Sequence, residues 1–174
     1  MLTLKGKYCK LRALEPEDLE YLYRLENDTK IWELSGTFAP YSKAILERYL
    51  NQAHLDIYEA KQFRFCICDD YNKRLGLIDL FEFDPINKRV GVGVLVYNEE
   101  DRGKGIGTEA LQLVCDYAFK VLDVHQVFAN ILEDNSVSRT VFERLGFSLI
   151  GTKKDWVRID GTFKNEVLYQ KINA

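Results

Sequence analysis

Arg102-Gly103-Lys104-Gly105-Ile106-Gly107 lies between an apolar run ending at Tyr97 and a segment, Gly105 to Leu122, whose apolar residues keep helical spacing. A helix start offers unpaired N–H groups and a partial positive charge. Glycines let an anion approach that backbone closely, and Arg102 and Lys104 add full charges. The hexapeptide therefore reads as a cradle for a pyrophosphate. It is not a dinucleotide fingerprint, because counting from Gly103 puts Thr108 where the third glycine belongs. Nor is it a P-loop, because Gly105 follows Lys104 where Ser or Thr is required. Arg-x-x-Gly-x-Gly is the pattern that remains. Taken alone, it is also met by a plain turn at Gly103 and a helix cap at Gly105.

Upstream, Phe63–Cys68, Leu75–Phe83 and Arg89–Tyr97 read as an antiparallel strand meander, with turns at Asp69–Lys73 and Asp84–Asn87. Before it, Tyr8–Leu14 alternates as a strand. A helix then starts at Pro16, whose acidic neighbours suit a first turn. Trp32–Tyr41 reads as an irregular loop, and Ser42 caps a second helix reaching about Glu59. Downstream come a strand at Gln126–Leu132 and a helix at Ser136–Leu145 ended by Gly146. A terminal hairpin, Phe147–Arg158 with Phe163–Ile172, turns at Asp160-Gly161. The strand–helix–strand unit in the middle needs a crossover connection, so the reading is α+β with a mixed sheet flanked by helices.

The 174 residues suit one domain, 1–174, with one core. Apolar residues make 47% and charged residues 29%, which argues against disorder. A net charge of −3 offers no basic face, against a nucleic-acid role. No apolar run approaches the ~18 residues of a membrane span, and Met1–Lys10 lacks a signal core. Cys9, Cys66, Cys68 and Cys115 have no metal-binding spacing with each other or with His54 and His125, so no metal is expected. Four free thiols suggest a reducing, cytoplasmic setting.

A second motif follows the first. Asn135-Ser136-Val137-Ser138-Arg139 leads a helix that runs through Val141-Phe142-Glu143-Arg144 into Leu145-Gly146-Phe147. Asn135 and Gly146 have local reasons to be there, as cap and terminator. Both motifs, in this order and with this element order, resemble the acetyl-CoA-binding signature of the GNAT superfamily of N-acetyltransferases. Arg12 with Glu17-Asp18, and Asp160-Gly161 with Phe163, Asn165 and Tyr169, fit the same pattern, so the resemblance covers about Tyr8–Ile172. Within the superfamily the chain is similar to two branches. Leu75–Phe83 and Asp116–Leu122 resemble the bacterial spermidine N-acetyltransferases. Asn135 with Ser138, and Asp84-Pro85, resemble the ribosomal-protein N-terminal acetyltransferases.

The resemblance implies a mostly antiparallel sheet with one splayed strand pair that takes acetyl-CoA as co-substrate. It assigns Leu95, Val96, Arg102, Gly103, Lys104, Gly105, Ile106, Gly107, Asn135 and Ser138 to that binding. It also implies a homo-oligomer, a dimer or larger. An alkyl amine, with pKa near ~10.4, arrives protonated and needs a base. Asp79, Glu82 and Asp84 are the acids on or after one strand, and Glu82 and Asp79 align with glutamates of the spermidine branch. Many members use a tyrosine where Phe142 stands, and Ser138, one helical turn earlier, is the candidate acid. Trp32, Glu33, Phe38, Tyr41 and Asp84 are the candidate acceptor contacts. The loop around Gly36–Lys43 lacks most of the acids of the spermidine branch. Three readings stay open: transfer to a small di- or polyamine-like primary amine by direct attack in a ternary complex, transfer to a protein N-terminus, or acyl-CoA binding without catalysis.

Overall fold

The structure, a computed structural model, describes residues 1–174. In chain order its elements are β1 (Lys10–Ala13), α1 (Leu19–Glu26), α2 (Thr29–Ser35), α3 (Lys43–Gln52), α4 (Ile57–Ala60), β2 (Phe63–Cys68), β3 (Arg74–Asp84), β4 (Arg89–Val96), α5 (Ile106–Lys120), β5 (Gln126–Leu132), α6 (Ser136–Arg144), β6 (Ser148–Ile159) and β7 (Thr162–Ile172). The strands form one sheet in the order β1-β2-β3-β4-β5-β7-β6. Only β4 and β5 run parallel, and α5 is the crossover that their common direction demands. This is the α+β arrangement expected, a mixed and mostly antiparallel sheet between helices. No helix is long and apolar enough to cross a membrane.

Neighbouring residues of a strand face opposite sides of a sheet, and β3 shows it. Ile78 joins the large core that also holds Ala110, Leu111 and Val114 of α5 and Phe142 of α6. Leu77 joins a smaller core with Tyr21, Leu22 and Leu25 of α1 and Leu46 of α3. The sheet is thus covered on both faces, which explains the continuous apolar run of β3.

The N-terminal third departs from the sequence expectation, and hydrogen bonds explain how. β1 is shorter than Tyr8–Leu14 because the N–H groups of Lys7, Tyr8 and Cys9 donate to the Glu109 carboxylate instead of to a strand. The segment expected as a loop at Trp32–Tyr41 begins as helix α2. Asp28 caps it by accepting from the Lys30 N–H, and left-handed Gly36 closes it. The helix expected to reach Glu59 stops at Gln52, and Asp56 caps a separate turn, α4.

Asp18, with none of its surface exposed, pins this region to the sheet. Its carboxylate accepts from Arg12 at 2.9 and 3.0 Å, from Arg74 at 2.6 Å and from the Glu15 N–H at 2.8 Å. Burial alone would raise its pKa, but these donors outweigh it and hold the group down at about 2.

Candidate functional site

β4 and β5 pair only at Arg89↔Gln126, Val90↔Val127 and Gly91↔Phe128, then part. The opening continues as a cleft of about 320 Å³. Val92–Leu95 form one wall and Asn130–Leu132 the other. Asn135, which caps α6, and Ser138 and Phe142 within it border the cleft, and Glu26, Ile31 and Glu33 close it from the α1 and α2 side.

Pairing with β3 decides which β4 main-chain groups are free. The Tyr97 N–H donates to the Leu75 carbonyl at 3.0 Å, and the register continues as Val96↔Gly76, Leu95↔Leu77 and Val94↔Ile78. Antiparallel pairs alternate between bonded and non-bonded, so Leu95 spends its N–H on β3 while Val94 and Val96 turn theirs toward the gap. Of the two residues expected here, Leu95 borders the cleft, and Val96, the next residue along β4, turns its N–H toward the gap. Val94, not singled out from sequence, shares that orientation. Gly76 allows the tight approach: a Cβ there would sit 1.9 Å from the Leu95 carbonyl oxygen.

At the end of β4 the glycine loop takes shape. Gly103 (φ +74°) and Gly105 (φ +85°) are both left-handed, and the space beside Gly103 is open. The chain then enters α5 at Ile106, which is buried. No main-chain N–H from Gly103 to Thr108 donates a hydrogen bond within the protein, Lys104 is exposed beside them, and Gly107 approaches Val96. This row of free donors at a helix N-terminus fits a pyrophosphate such as that of acetyl-CoA. Arg102 also anchors the loop. Its guanidinium donates to the Val96 carbonyl at 2.9 Å and the Tyr97 carbonyl at 3.1 Å, so it ties the loop to the strand end.

On the far wall, Asn135 caps α6 by accepting from the Ser138 N–H at 3.1 Å. The Ser138 side chain lines the cleft. Phe142 is buried against Phe147, with ring centroids 5.0 Å apart. Tyr169, fully buried, accepts from Arg139 and donates to Glu143, which fixes the helix on β7. Burial and the Glu143 contact lift its phenol above the usual range, with Arg139 opposing.

The candidate acids separate. Asp79 lines the cleft, but Arg64 holds both its oxygens, at 2.6 and 2.9 Å. Glu82 sits in a bulge where the β3–β4 register shifts, with φ +48°, exposed and outside the lining of the cleft. The bulge breaks the alternation of β3 at this point, and likeness to the spermidine branch alone had marked Glu82. Asp84 accepts from the Ile86 and Asn87 N–H groups and pairs with Arg89, so it organises the hairpin turn away from the cleft. Glu26, at the end of α1, was not anticipated. It accepts from Arg64 at 2.8 Å through one oxygen, its side chain is only 15% exposed, and it lines the cleft. Its position four residues after buried Leu22, an acid on the inward stripe, is the signal that could have found it.

Of the acceptor candidates, Glu33 lines the cleft. Tyr41 lines a neighbouring cavity of about 510 Å³. Trp32 lines neither and donates its indole N–H to the Glu26 carbonyl at 2.8 Å, and Phe38 is 92% exposed and lines neither.

Comparison with known proteins agrees with this geometry. A spermidine N(1)-acetyltransferase of Escherichia coli is 29% identical over 159 residues, covering 91% of this chain and 82% of that protein. The [ribosomal protein uS5]-alanine N-acetyltransferase of the same organism is 27% identical, covering 83% and 84%. The crystal structure of a spermidine N-acetyltransferase from Vibrio cholerae, in complex with CoA and spermine, superposes with a TM-score of 0.85 at 23% identity, covering 96% of each chain. The model of the acetyltransferase (GNAT) domain matches residues 9–148, from the start of the sheet through both motifs. The chain belongs to the GNAT acetyltransferase family.

Proposed function

We propose that this protein transfers the acetyl group of acetyl-CoA to the primary amine of a small di- or polyamine-like acceptor, by direct attack with both substrates bound. The observation that carries the reading is the parted β4–β5 pair, with free N–H groups at the glycine loop and, by pairing alternation, at Val94 and Val96. The loop donors suit the pyrophosphate. A strand N–H suits the oxygen that gains negative charge when the thioester carbonyl is attacked. The spermidine-acetylating relatives support the acceptor class.

Attack requires a neutral amine. Glu26 borders the cleft with its second oxygen unpartnered in the protein, and takes the amine proton directly or through a water. Asp79 holds Arg64, which holds Glu26. Burial works against the Arg64 charge, yet Asp79 outweighs it and keeps the guanidinium ionised. The departing thiolate, with a pKa near ~8.5, leaves unassisted or takes a proton from Ser138, because Phe142 has none to give. The reading also includes a cytoplasmic setting, supported by four free, buried cysteines, and self-association through the β6 edge.

The test is acetyl-CoA-dependent thiol release with spermidine as the only acceptor. Turnover above the hydrolysis blank supports the proposal. Silence with spermidine and other small amines, in a sample that binds acetyl-CoA and acetylates peptide N-termini, moves the protein to the N-terminal branch.

A further inference from the structure

The larger cavity, about 510 Å³, extends away from the acetyl-CoA side of the cleft's acidic border. It lies between α3, α4 and the sheet, and apolar side chains dominate its wall: Leu46, Tyr49, Ala53, Leu55, Phe63 and Phe81. It meets the β4–β5 cleft at residues that border both, Glu26, Ser35, Arg64 and Asp79. For a ligand whose amine reaches this shared border, the larger cavity offers a path for the rest of its body.

The charges along that path are countable. Glu26 and Asp79 are the only acids bordering the larger cavity, and Arg64 bonds both of them, leaving one net negative charge at the junction. Arg64 also lies over the Tyr49 ring, 5.9 Å from its centroid. Beyond the junction the polar groups are neutral: Ser35, Thr37, Tyr41, Gln52 and Gln62. One ammonium is matched at the junction. A second ammonium a few methylenes further on would be desolvated with no carboxylate to receive it, whereas an alkyl or aryl arm would bury its surface there.

We infer that the preferred acceptor is a monoamine carrying an apolar or aromatic arm, its amine at the Glu26–Arg64–Asp79 junction and its arm in the larger cavity. The inference rests on the primary-amine reading of the proposed function and replaces its di- or polyamine-like acceptor with a monoamine. The test compares kcat/KM for spermidine, 2-phenylethylamine and ethylamine with acetyl-CoA. A kcat/KM for 2-phenylethylamine at least about tenfold above both others supports the inference, since single apolar groups in a matched pocket give that discrimination. Spermidine equal to or better than 2-phenylethylamine overturns it while leaving small-amine acetylation intact. Failure of all three amines, with peptide N-termini acetylated in the same preparation, overturns the underlying reading. Two variants locate the arm. Ala53→Trp should lower the ratio of 2-phenylethylamine to ethylamine about tenfold, and Leu55→Glu should shift preference toward spermidine. Unmoved ratios in folded protein place the arm elsewhere and overturn the assignment.

Discussion

Glu26 is the residue on which the proposed chemistry turns. One of its oxygens accepts from Arg64 and the other has no protein partner. Glu26→Gln keeps a carbonyl oxygen for Arg64 but loses the basic oxygen. The expected outcome is a fall in kcat/KM of about 100-fold, with acetyl-CoA affinity and melting temperature close to wild type. Steady-state kinetics beside a binding titration check this, and an unchanged kcat/KM would remove Glu26 from the mechanism. Glu82 is the opposite case. Likeness to the spermidine branch marked it, but the bulge at Glu82–Phe83 leaves it exposed, and a local register shift leaves no trace in apolar alternation.

Among the elements, the parting of β4 from β5 depends on how closely β4 rides on β3. Gly76 sets that distance, and a Cβ there meets main chain rather than a yielding side chain. Gly76→Ala is expected to cost about 3 kcal/mol and to lower the melting temperature by about 6–12 °C. Acetyl-CoA affinity should fall as well, because β4 carries one wall of the cleft. Thermal melting and calorimetric titration read the two effects; wild-type affinity would separate β4 from cofactor binding. The elements legible in the sequence were those with strong patterning: the β2–β3–β4 meander, α5 with its apolar stripe and glycine entry, β5, and α6 between Asn135 and Gly146. The N-terminal helices were not, because short-range caps decide them. Asp28 and Gly36 make α2 from a stretch with little periodicity, and Asp56 divides α3 from α4. The glycine turn and the helix start behind it were legible, yet the turn of Arg102 back onto Val96 and Tyr97 was not. The Glu26–Arg64–Asp79 junction joins residues from α1, β2 and β3, and no sequence spacing announces it.

At the scale of the whole molecule, two features make predictions. Asp18 joins β1, β3 and the entrance to α1, with its pKa depressed to about 2 from an ordinary 3.8. A depressed carboxylate stabilises the fold fully above its unfolded pKa and loses that contribution as pH falls through the folded one. Wild-type melting temperature should therefore drop between about pH 4 and pH 2, and Asp18→Asn should start lower and flatten across that window. Parallel curves would show that Asp18 is not the linked group. The second feature is the outer hairpin. β6 is an edge strand with Leu149, Ile150 and Trp156 exposed, and Phe163 is exposed beside it on β7. Such edges are ordinarily covered, so light scattering after size exclusion should give at least a dimer, and Trp156→Glu should shift it toward monomer. A monomeric wild type would contradict self-association through this edge.

The most direct measurement of the central claim is mass spectrometry of the acceptor after incubation with acetyl-CoA and a mixture of small primary amines. The expected product is amine carrying one acetyl group, formed in step with free thiol and about 100-fold more slowly in Glu26→Gln. Acetyl-CoA bound by the protein with every amine unmodified would contradict it.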